Sequence, residues 1–329
     1  MSVTALKPGL LTTVQDRGRR GYAALGVGAA GPMDDVAFRL ANALVGNGDD
    51  AAALELTLVG PRLRFDTAAT IALTGAGFAA QIDGRSIGGW RAIEISAGAV
   101  LDCGSTRRGA RGYLAVAGGF TVDRILGSAS TDVNAGIGPF GGRAFCAGDL
   151  LSARDATTSN GPPSPLSRGE RGFTWSLDPR PWFDPDPHHP IRLIRGSHFA
   201  ALDRASREAL FAAQFRIAAA SNRVGFRLDG PRLAFAEPLE LVSEPVGFGT
   251  VQLPAGGQPI ALMAEHPTTG GYPRIGQIAA IDLPRLAQRR PGDPVRFVEI
   301  DLDDAQTRYL ARERELVRLL DAIAMRLAT

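Results

Sequence analysis

Four stretches of this chain concentrate side chains that can donate, accept or move protons. They are Thr12-Thr13-Val14-Gln15-Asp16-Arg17-Gly18-Arg19, Gly127-Ser128-Ala129-Ser130-Thr131-Asp132, Ser221-Asn222-Arg223-Val224-Gly225, and Glu265-His266-Pro267-Thr268-Thr269-Gly270-Gly271-Tyr272-Pro273. Together they hold hydroxyl and amide groups, three carboxylates, an imidazole and three guanidinium groups. Those groups transfer protons, stabilise a developing oxyanion and hold a charged ligand. No single stretch contains every kind, but the two halves of the chain together do. The plainer reading is that Ser, Thr, Asp and Gly only build turns. Four such stretches, two from each half, favour a shared polar cleft between domains.

Other motifs lack the context that their chemistry needs. Gly26-Val27-Gly28-Ala29-Ala30-Gly31 matches GxGxxG and precedes a helix. A dinucleotide site also needs a buried strand upstream and an acidic residue ending the next strand. Here the upstream segment is the polar QDRGRRGY, and the next strand, Leu54–Leu58, runs into Val59-Gly60-Pro61. Such a loop before a helix can still hold an anion. Gly84-Arg85-Ser86-Ile87-Gly88 matches the serine elbow pattern, but a hairpin turn replaces the strand-turn-helix that the elbow demands. The histidines are His188, His189, His198 and His266, none at metal-ligand spacing, so no metal site is expected. His188 and His189 fall in a proline-rich stretch, and His198 lies at a helix start, where a structural role is expected.

The elements that must position these groups are short and mostly extended. Ile71–Thr74, Ala79–Ile82, Ala92–Ile95 and Tyr113–Ala117 read as strands, and Asp83-Gly84 reads as a hairpin turn between two of them. Three helices stand out. Pro32, Asp34 and Asp35 open the first, Val36, Ala37, Leu40, Ala41 and Leu44 give its apolar stripe, and Gly46 closes it. Ser197 is placed to cap a second, carrying Phe199, Leu202, Ala209 and Leu210. Asp303 and Asp304 begin a third, with Leu316, Val317, Leu320, Ile323, Ala324 and Leu327 at helical spacing.

At 329 residues the chain has room for about two domains of ~150 residues. Forty glycines and 22 prolines among short strands argue for barrels or sandwiches, a mainly β fold with a few helices. The composition between 156 and 190 suits a linker. The expected division is a domain over 1–155, the linker, a domain over 191–300 and an amphipathic helix over 301–329. Gly60-Pro61-Arg62-Leu63-Arg64-Phe65 recurs as Gly230-Pro231-Arg232-Leu233-Ala234-Phe235, and Gly-Phe follows each copy at 77–78 and 247–248. This suggests two related β domains joined by duplication.

A net charge of +2 with no basic arm argues against nucleic acid as a partner. No apolar run reaches ~18 residues, so no membrane span is expected. Two cysteines, Cys103 and Cys146, and a start without signal-peptide pattern suggest the cytoplasm. Lys7 is the only lysine and precedes Pro8. This excludes a P-loop, and no interior lysine can carry covalent biotin.

The ordered motifs resemble the biotin-dependent carboxyltransferase family that includes the C-type subunits of 5-oxoprolinases, also called the allophanate hydrolase subunit 2 family. They are similar too to the carboxyltransferase region of urea carboxylase. The resemblance runs from Pro8-Gly9-Leu10-Leu11-Thr12-Thr13-Val14-Gln15-Asp16 through Gly31-Pro32-Met33-Asp34, Ala41-Asn42, Leu54-Glu55, the Gly127–Asp132 stretch and Ser221-Asn222-Arg223. It closes with Gly257-Gln258-Pro259-Ile260, Thr268–Pro273 and Pro291-Gly292-Asp293. Three positions depart from the family pattern. Ala30 stands where Ser is common, Ala129 where Arg is common, and Glu265 where Asp is usual.

The resemblance implies two cyclophilin-like β-barrel domains. It implies a subunit of an ATP-dependent 5-oxoprolinase, a hydrolase that opens the cyclic amide 5-oxoproline to glutamate with other 5-oxoprolinase subunits. ATP would act at the level of the complex. The alternatives are a carboxyltransferase moving CO2 from carboxybiotin on another chain to a urea-like amide, and a non-catalytic regulatory or binding subunit. In that frame Asp16, Asp132 and Glu265 are the carboxylates for base work, and His266 shuttles a proton. Gln15, Ser128, Thr131, Asn222, Gln252, Thr268, Thr269 and Tyr272 orient a small amide or lactam. Arg223 holds a carboxylate or phosphate.

Overall fold

The computed structural model describes residues 2–153, 175–239 and 241–328. The described residues form two compact units that do not follow chain order. The first comprises residues 1–19, 34–184 and 315–329, and the second comprises 20–33 and 185–314. Residues 20–33 therefore belong with the C-terminal half of the chain, and the last helix, Leu302–Ala328, contributes residues to both units.

The first unit is built on two antiparallel sheets. One runs in the order Leu11–Gln15, Ala53–Thr57, Arg111–Val116, Ala69–Gly75, Ala92–Ile95. The other has seven strands, with Ser2–Lys7 between Leu150–Ala153 and Arg62–Phe65. Alternation along the strands sends side chains to two different cores. Leu54, Leu56, Ile71, Leu73, Leu114 and Val116 meet Val3, Leu63, Phe65 and Leu101 of the other sheet. Ala53, Ala72, Tyr113 and Ala115, on the opposite face, pack with Val36, Leu40 and Leu44 of the helix Asp35–Leu44. Leu316, Ile323 and Leu327 complete that second cluster, whereas Val317 is exposed. Both faces of the five-stranded sheet are thus covered, which is why Arg111–Val116 is buried along its whole length.

The second unit holds a closed barrel of seven strands, Ile191–Arg195, Arg274–Ile278, Thr250–Gln252, Ile260–Leu262, Gly225–Asp229, Gln214–Ile217 and Pro294–Glu299. Ile191–Arg195 closes the ring by pairing in parallel with Pro294–Glu299. Its interior is filled by Leu193, Phe215, Phe226, Val251, Ile275 and Phe297, among others. A two-stranded arm, Glu244–Pro245 with Thr269–Gly270, stands apart from the ring. The molecule is mainly β with a few helices.

Several sequence expectations need correction. The second helix starts at Arg204, and its cap is Asp203, whose carboxylate accepts from the Ser206 N–H at 2.6 Å. Phe199–Ala201 is a separate 3-10 turn. Of Ala79–Ile82 only Gln81–Ile82 is a strand, paired with Arg85–Ser86 across the Asp83-Gly84 turn. Both turn residues have positive φ, 47° and 79°, as a two-residue hairpin loop needs. That hairpin also removes the serine elbow. Arg62–Phe65 is a sheet strand, but residues 230–235 make only one isolated bridge, Leu202 with Phe235. Leu63 and Leu233 are both buried, so the in-out pattern recurs without the ladder, and the duplication reading fails at this pair. Of the stretch expected as a linker, residues 156–174 lie outside the described residues. Trp175, Leu177, Trp182 and Phe183 pack against the first unit's helix-facing cluster.

Asp34 caps the helix Asp35–Leu44 by accepting from the Ala37 N–H at 3.0 Å. A carboxylate therefore already occupies the helix terminus behind the glycine run, and the anion reading of Gly26–Gly31 is not supported. The Asp34 N–H donates to the Tyr113 hydroxyl oxygen at 2.8 Å, and that hydroxyl donates to Glu55 at 2.7 Å. Burial, with Glu55 and Asp34 adding to it, pushes Tyr113 well above its ordinary pKa. The fold therefore holds Tyr113 protonated where the unfolded chain would ionise it. This contribution is complete below the ordinary tyrosine value of about 10 and is lost as pH rises beyond it.

Tyr113→Phe leaves a buried carboxylate short of one donor and a buried N–H without its acceptor. It should lower stability by about 3 kcal/mol. All three tryptophans, Trp90, Trp175 and Trp182, lie in or against this cluster, so tryptophan fluorescence during urea unfolding reports the effect. A loss below about 0.5 kcal/mol would show that the network carries no weight.

Candidate functional site

In the first unit the strand Leu11–Gln15 delivers Gln15 and Asp16 to the loop 124–132. Asp16 is buried, with 3 % exposure, and draws three of the four donors to its carboxylate from that loop. Its Oδ1 accepts from Ser128 Oγ at 2.6 Å, Ser130 Oγ at 2.7 Å and the Gly18 N–H at 2.9 Å. Its Oδ2 accepts from the Ala129 N–H at 2.6 Å, and Arg124 Nη1 lies 3.6 Å away. Gln15 Nε2 donates to Thr13 Oγ1 and to the Thr131 carbonyl, each at 3.0 Å. The Thr131 N–H donates to the Val14 carbonyl at 2.9 Å.

Arg19 takes the opposite pole. Its Nε donates to the Ile125 carbonyl at 3.0 Å and its Nη2 to the Ser130 carbonyl at 2.8 Å. One short segment thus grips the loop by its donors through Asp16 and by its acceptors through Arg19. Burial pushes the Arg19 pKa below its ordinary value, while the Asp16 and Asp132 carboxylates push it back up. Arg19 Nη1 and Thr131 Oγ1 are both buried and have no hydrogen-bond partner among the described residues. Leaving such a group unmet costs about 1–3 kcal/mol, and more for a charged group.

Asp132 caps the turn that follows. Its Oδ1 accepts from the Ala135 N–H at 2.9 Å, and its backbone pairs with Ile137 in both directions. Among the described residues nothing donates to its other oxygen. At the loop's start, Leu126 and Gly127 both have positive φ, 52° and 79°, and form the tip between Ile125 and Ser128. The Ala129 methyl lies in the apolar core, so the cations around Asp16 are Arg19 and Arg124.

In the second unit, Arg223 Nε donates to Glu265 Oε1 at 2.6 Å, and both side chains are 3 % exposed. Arg223 Nη2 donates to the Gly31 carbonyl at 2.7 Å, tying residues 20–33 to the barrel. A fully buried pair of this kind depends on such extra hydrogen bonds to offset its desolvation. Asn222 Oδ1 accepts from the Val224 and Gly225 N–H groups, so Asn222 forms a turn. Gln252 is buried and donates to the Tyr272 carbonyl at 3.2 Å. His266 Nδ1 lies 2.7 Å from the Pro267 carbonyl. Thr269 and Tyr272 are exposed and Thr268 is half-buried, at or beside the two-stranded arm. His198 Nδ1 accepts from the Arg274 N–H at 3.1 Å, a structural bond.

The first unit therefore gathers Gln15, Asp16, Ser128, Thr131 and Asp132, and the second pairs Arg223 with Glu265. Ser130 and Arg19 belong to the first group although sequence reasoning did not single them out. Their signal was position, a hydroxyl two residues after Ser128 and an arginine three residues after Asp16. Among the described residues, no three His, Cys, Asp or Glu side chains gather as a metal-holding group. No described helix is long and apolar enough to cross a membrane.

Asp16→Asn replaces one acceptor oxygen with a donor facing the loop's own donors. It should cost about 3 kcal/mol in urea unfolding, and Ser130→Ala about 1 kcal/mol. An Asp16→Asn protein as stable as wild type would contradict this geometry.

Residues 25–299 match the model for the carboxyltransferase domain, subdomains A and B. The chain is 38 % identical to the C-type subunit of the 5-oxoprolinase of Escherichia coli, over 98 % of this chain and 97 % of that protein. It is 35 % identical to the C-type 5-oxoprolinase subunit of Haemophilus influenzae, over 92 % of each. Among solved structures it is similar to the urea amidolyase of K. lactis, with a TM-score of 0.83 and 29 % identity over 98 % of this chain. It spans 20 % of that much longer chain. The closed barrel, the ordered motifs and a match across most of the sequence agree: the chain belongs to the carboxyltransferase domain family, subdomains A and B.

Proposed function

We propose that this chain is a subunit of an ATP-dependent 5-oxoprolinase, which opens 5-oxoproline to glutamate in a complex with other subunits. The observation that carries the reading is end-to-end similarity to two 5-oxoprolinase subunits of the C type, with matching lengths on both sides. The cytoplasm is the proposed setting, and two unpaired cysteines, Cys103 and Cys146, accord with it. Two cyclophilin-like domains are the proposed architecture. The seven-stranded barrel of the second unit supports that reading for one of them.

Opening a lactam requires a carbonyl made electrophilic, a base that activates water, and donors for the oxygen that gains charge. Asp132 has an oxygen that accepts nothing from the described residues, which suits base work. Asp16 accepts four hydrogen bonds, so its proposed role is to position the loop that carries Thr131 and Asp132. Arg223 and Glu265 already engage each other, and we assign them to holding the barrel around residues 20–33. Gln15 holds Thr131, while Asn222 and Gln252 fix turns beside His266, Thr268, Thr269 and Tyr272, which remain the substrate-side candidates of the second unit.

No P-loop for ATP is read in this sequence. The chain has no Gly-Lys-Ser/Thr, and Asp34 caps the helix behind the glycine run. We place nucleotide binding on a partner subunit. A carboxyltransferase acting on a urea-like amide is the second reading, and the structural likeness to urea amidolyase favours it.

The isolated chain should turn over 5-oxoproline poorly, and adding its partner subunits should restore ATP-dependent activity. In that complex Asp132→Asn should lower kcat about a hundredfold or more, the scale of a lost general base. Robust turnover by the isolated chain would overturn the need for partner subunits, and biotin-dependent carboxylation of urea by the complex would overturn the 5-oxoprolinase reading.

A further inference from the structure

Beside Asp16, two buried donors lack an acceptor among the described residues, one on the segment 16–19 and the other on the loop 124–132 that it grips. Arg19 Nη2 grips the Ser130 carbonyl, so its Nη1 sits beside the Ser130–Thr131 peptide, and Thr131 Oγ1 is the other unmet group. Both side chains are 1 % exposed. Around them the Asp16 carboxylate, the Gln15 amide and the two other Arg19 nitrogens are all engaged, which sets these two apart from a loosely packed loop. An arginine can only donate, so what is missing is an acceptor oxygen.

Local charge decides what kind of oxygen. Asp16 and Asp132 act on Arg19, and Arg124 lies 3.6 Å from Asp16, so two cations already face two carboxylates. A fully charged anion would meet Asp132 at close quarters. The carbonyl oxygen of a neutral amide would not, and the amide N–H is free to turn toward the Asp132 oxygen that accepts nothing from the described residues. We propose that Arg19 Nη1 and Thr131 Oγ1 are the paired donors for the carbonyl oxygen of a planar amide, of the lactam or urea class. Arg19 is then a substrate-contacting residue that polarises the carbonyl. Its two other nitrogens are fixed in place, so the donor needs no reorganisation as charge develops on the oxygen. Solvent reaches neither atom in this structure, so the amide gains access when an adjoining segment shifts. The exposed turn Val133–Gly136, continuous with Asp132, is the nearest along the chain. This inference rests on the amide-opening reading above.

Thr131→Val tests it without dismantling the loop, because Oγ1 has no bond to lose. Thermal stability should be unchanged or raised, as expected when an unmet hydroxyl becomes a methyl. In the reconstituted complex, kcat/KM for 5-oxoproline should fall at least tenfold, and Thr131→Ser should restore it. Calorimetry with 2-pyrrolidinone and with urea provides the second arm. Equal turnover by wild type and Thr131→Val overturns the inference and leaves the 5-oxoprolinase reading standing. A wild-type complex that ignores 5-oxoproline, while either probe binds in a Thr131-dependent way, supports the amide site and removes the 5-oxoproline reading. If no amide binds to wild type, the inference is wrong.

Discussion

The Asp16 carboxylate is the point on which the loop 124–132 turns. Four donors converge on its two oxygens, two of them serine hydroxyls and two backbone N–H groups. A carboxylate buried to this degree needs such company, because desolvation without compensation costs several kcal/mol. Three of the four donors come from residues more than a hundred positions away. Closing that distance is what places Thr131 and Asp132 beside Arg19. The two sheets behind it are the rigid part, since the strand ending at Gln15 is paired along its length with Ala53–Thr57.

Polar motifs in this chain divide by what their partners leave free. Asp34, Glu55, Asn222 and the Arg223–Glu265 pair are absorbed by the fold, in a helix cap, a hydroxyl network, a turn and a buried ion pair. Thr131 and Asp132 retain atoms that the described residues do not engage, and so does Arg19. A polar motif in this chain therefore marks two different things, residues that hold the loops and residues the loops present. Geometry separates them where sequence does not.

Local signals were the legible part of the sequence. The helix at Asp35 could be read from Pro32, Asp34 and its apolar stripe, and the hairpin at Asp83-Gly84 from its turn residues, because both are fixed within a few positions. The sequence also singled out the polar stretches 12–19 and 127–132, which the structure brings together. It did not reveal that Asp16 is filled by donors or that Glu265 is tied to Arg223, since those facts depend on contacts between distant segments. The repeated Gly-Pro-Arg-Leu misled for the same reason. Leu63 and Leu233 are buried alike, but only the first copy has neighbours on both sides to complete a ladder. Residues 20–33 joined the second unit through Met33 and the Gly31 carbonyl, contacts that no local pattern encodes.

The central claim is that Asp16 organises the loop through its backbone as well as its side chains. Amide hydrogen exchange at Ala129 measures this directly, because the Ala129 N–H points at Asp16 Oδ2. The account predicts that Ala129 exchanges as slowly as the amides of the strand Arg111–Val116, and that Asp16→Asn speeds it markedly while those strand amides stay protected. Exchange at Ala129 in the wild type as fast as at the exposed residues Val133–Gly136 would contradict it.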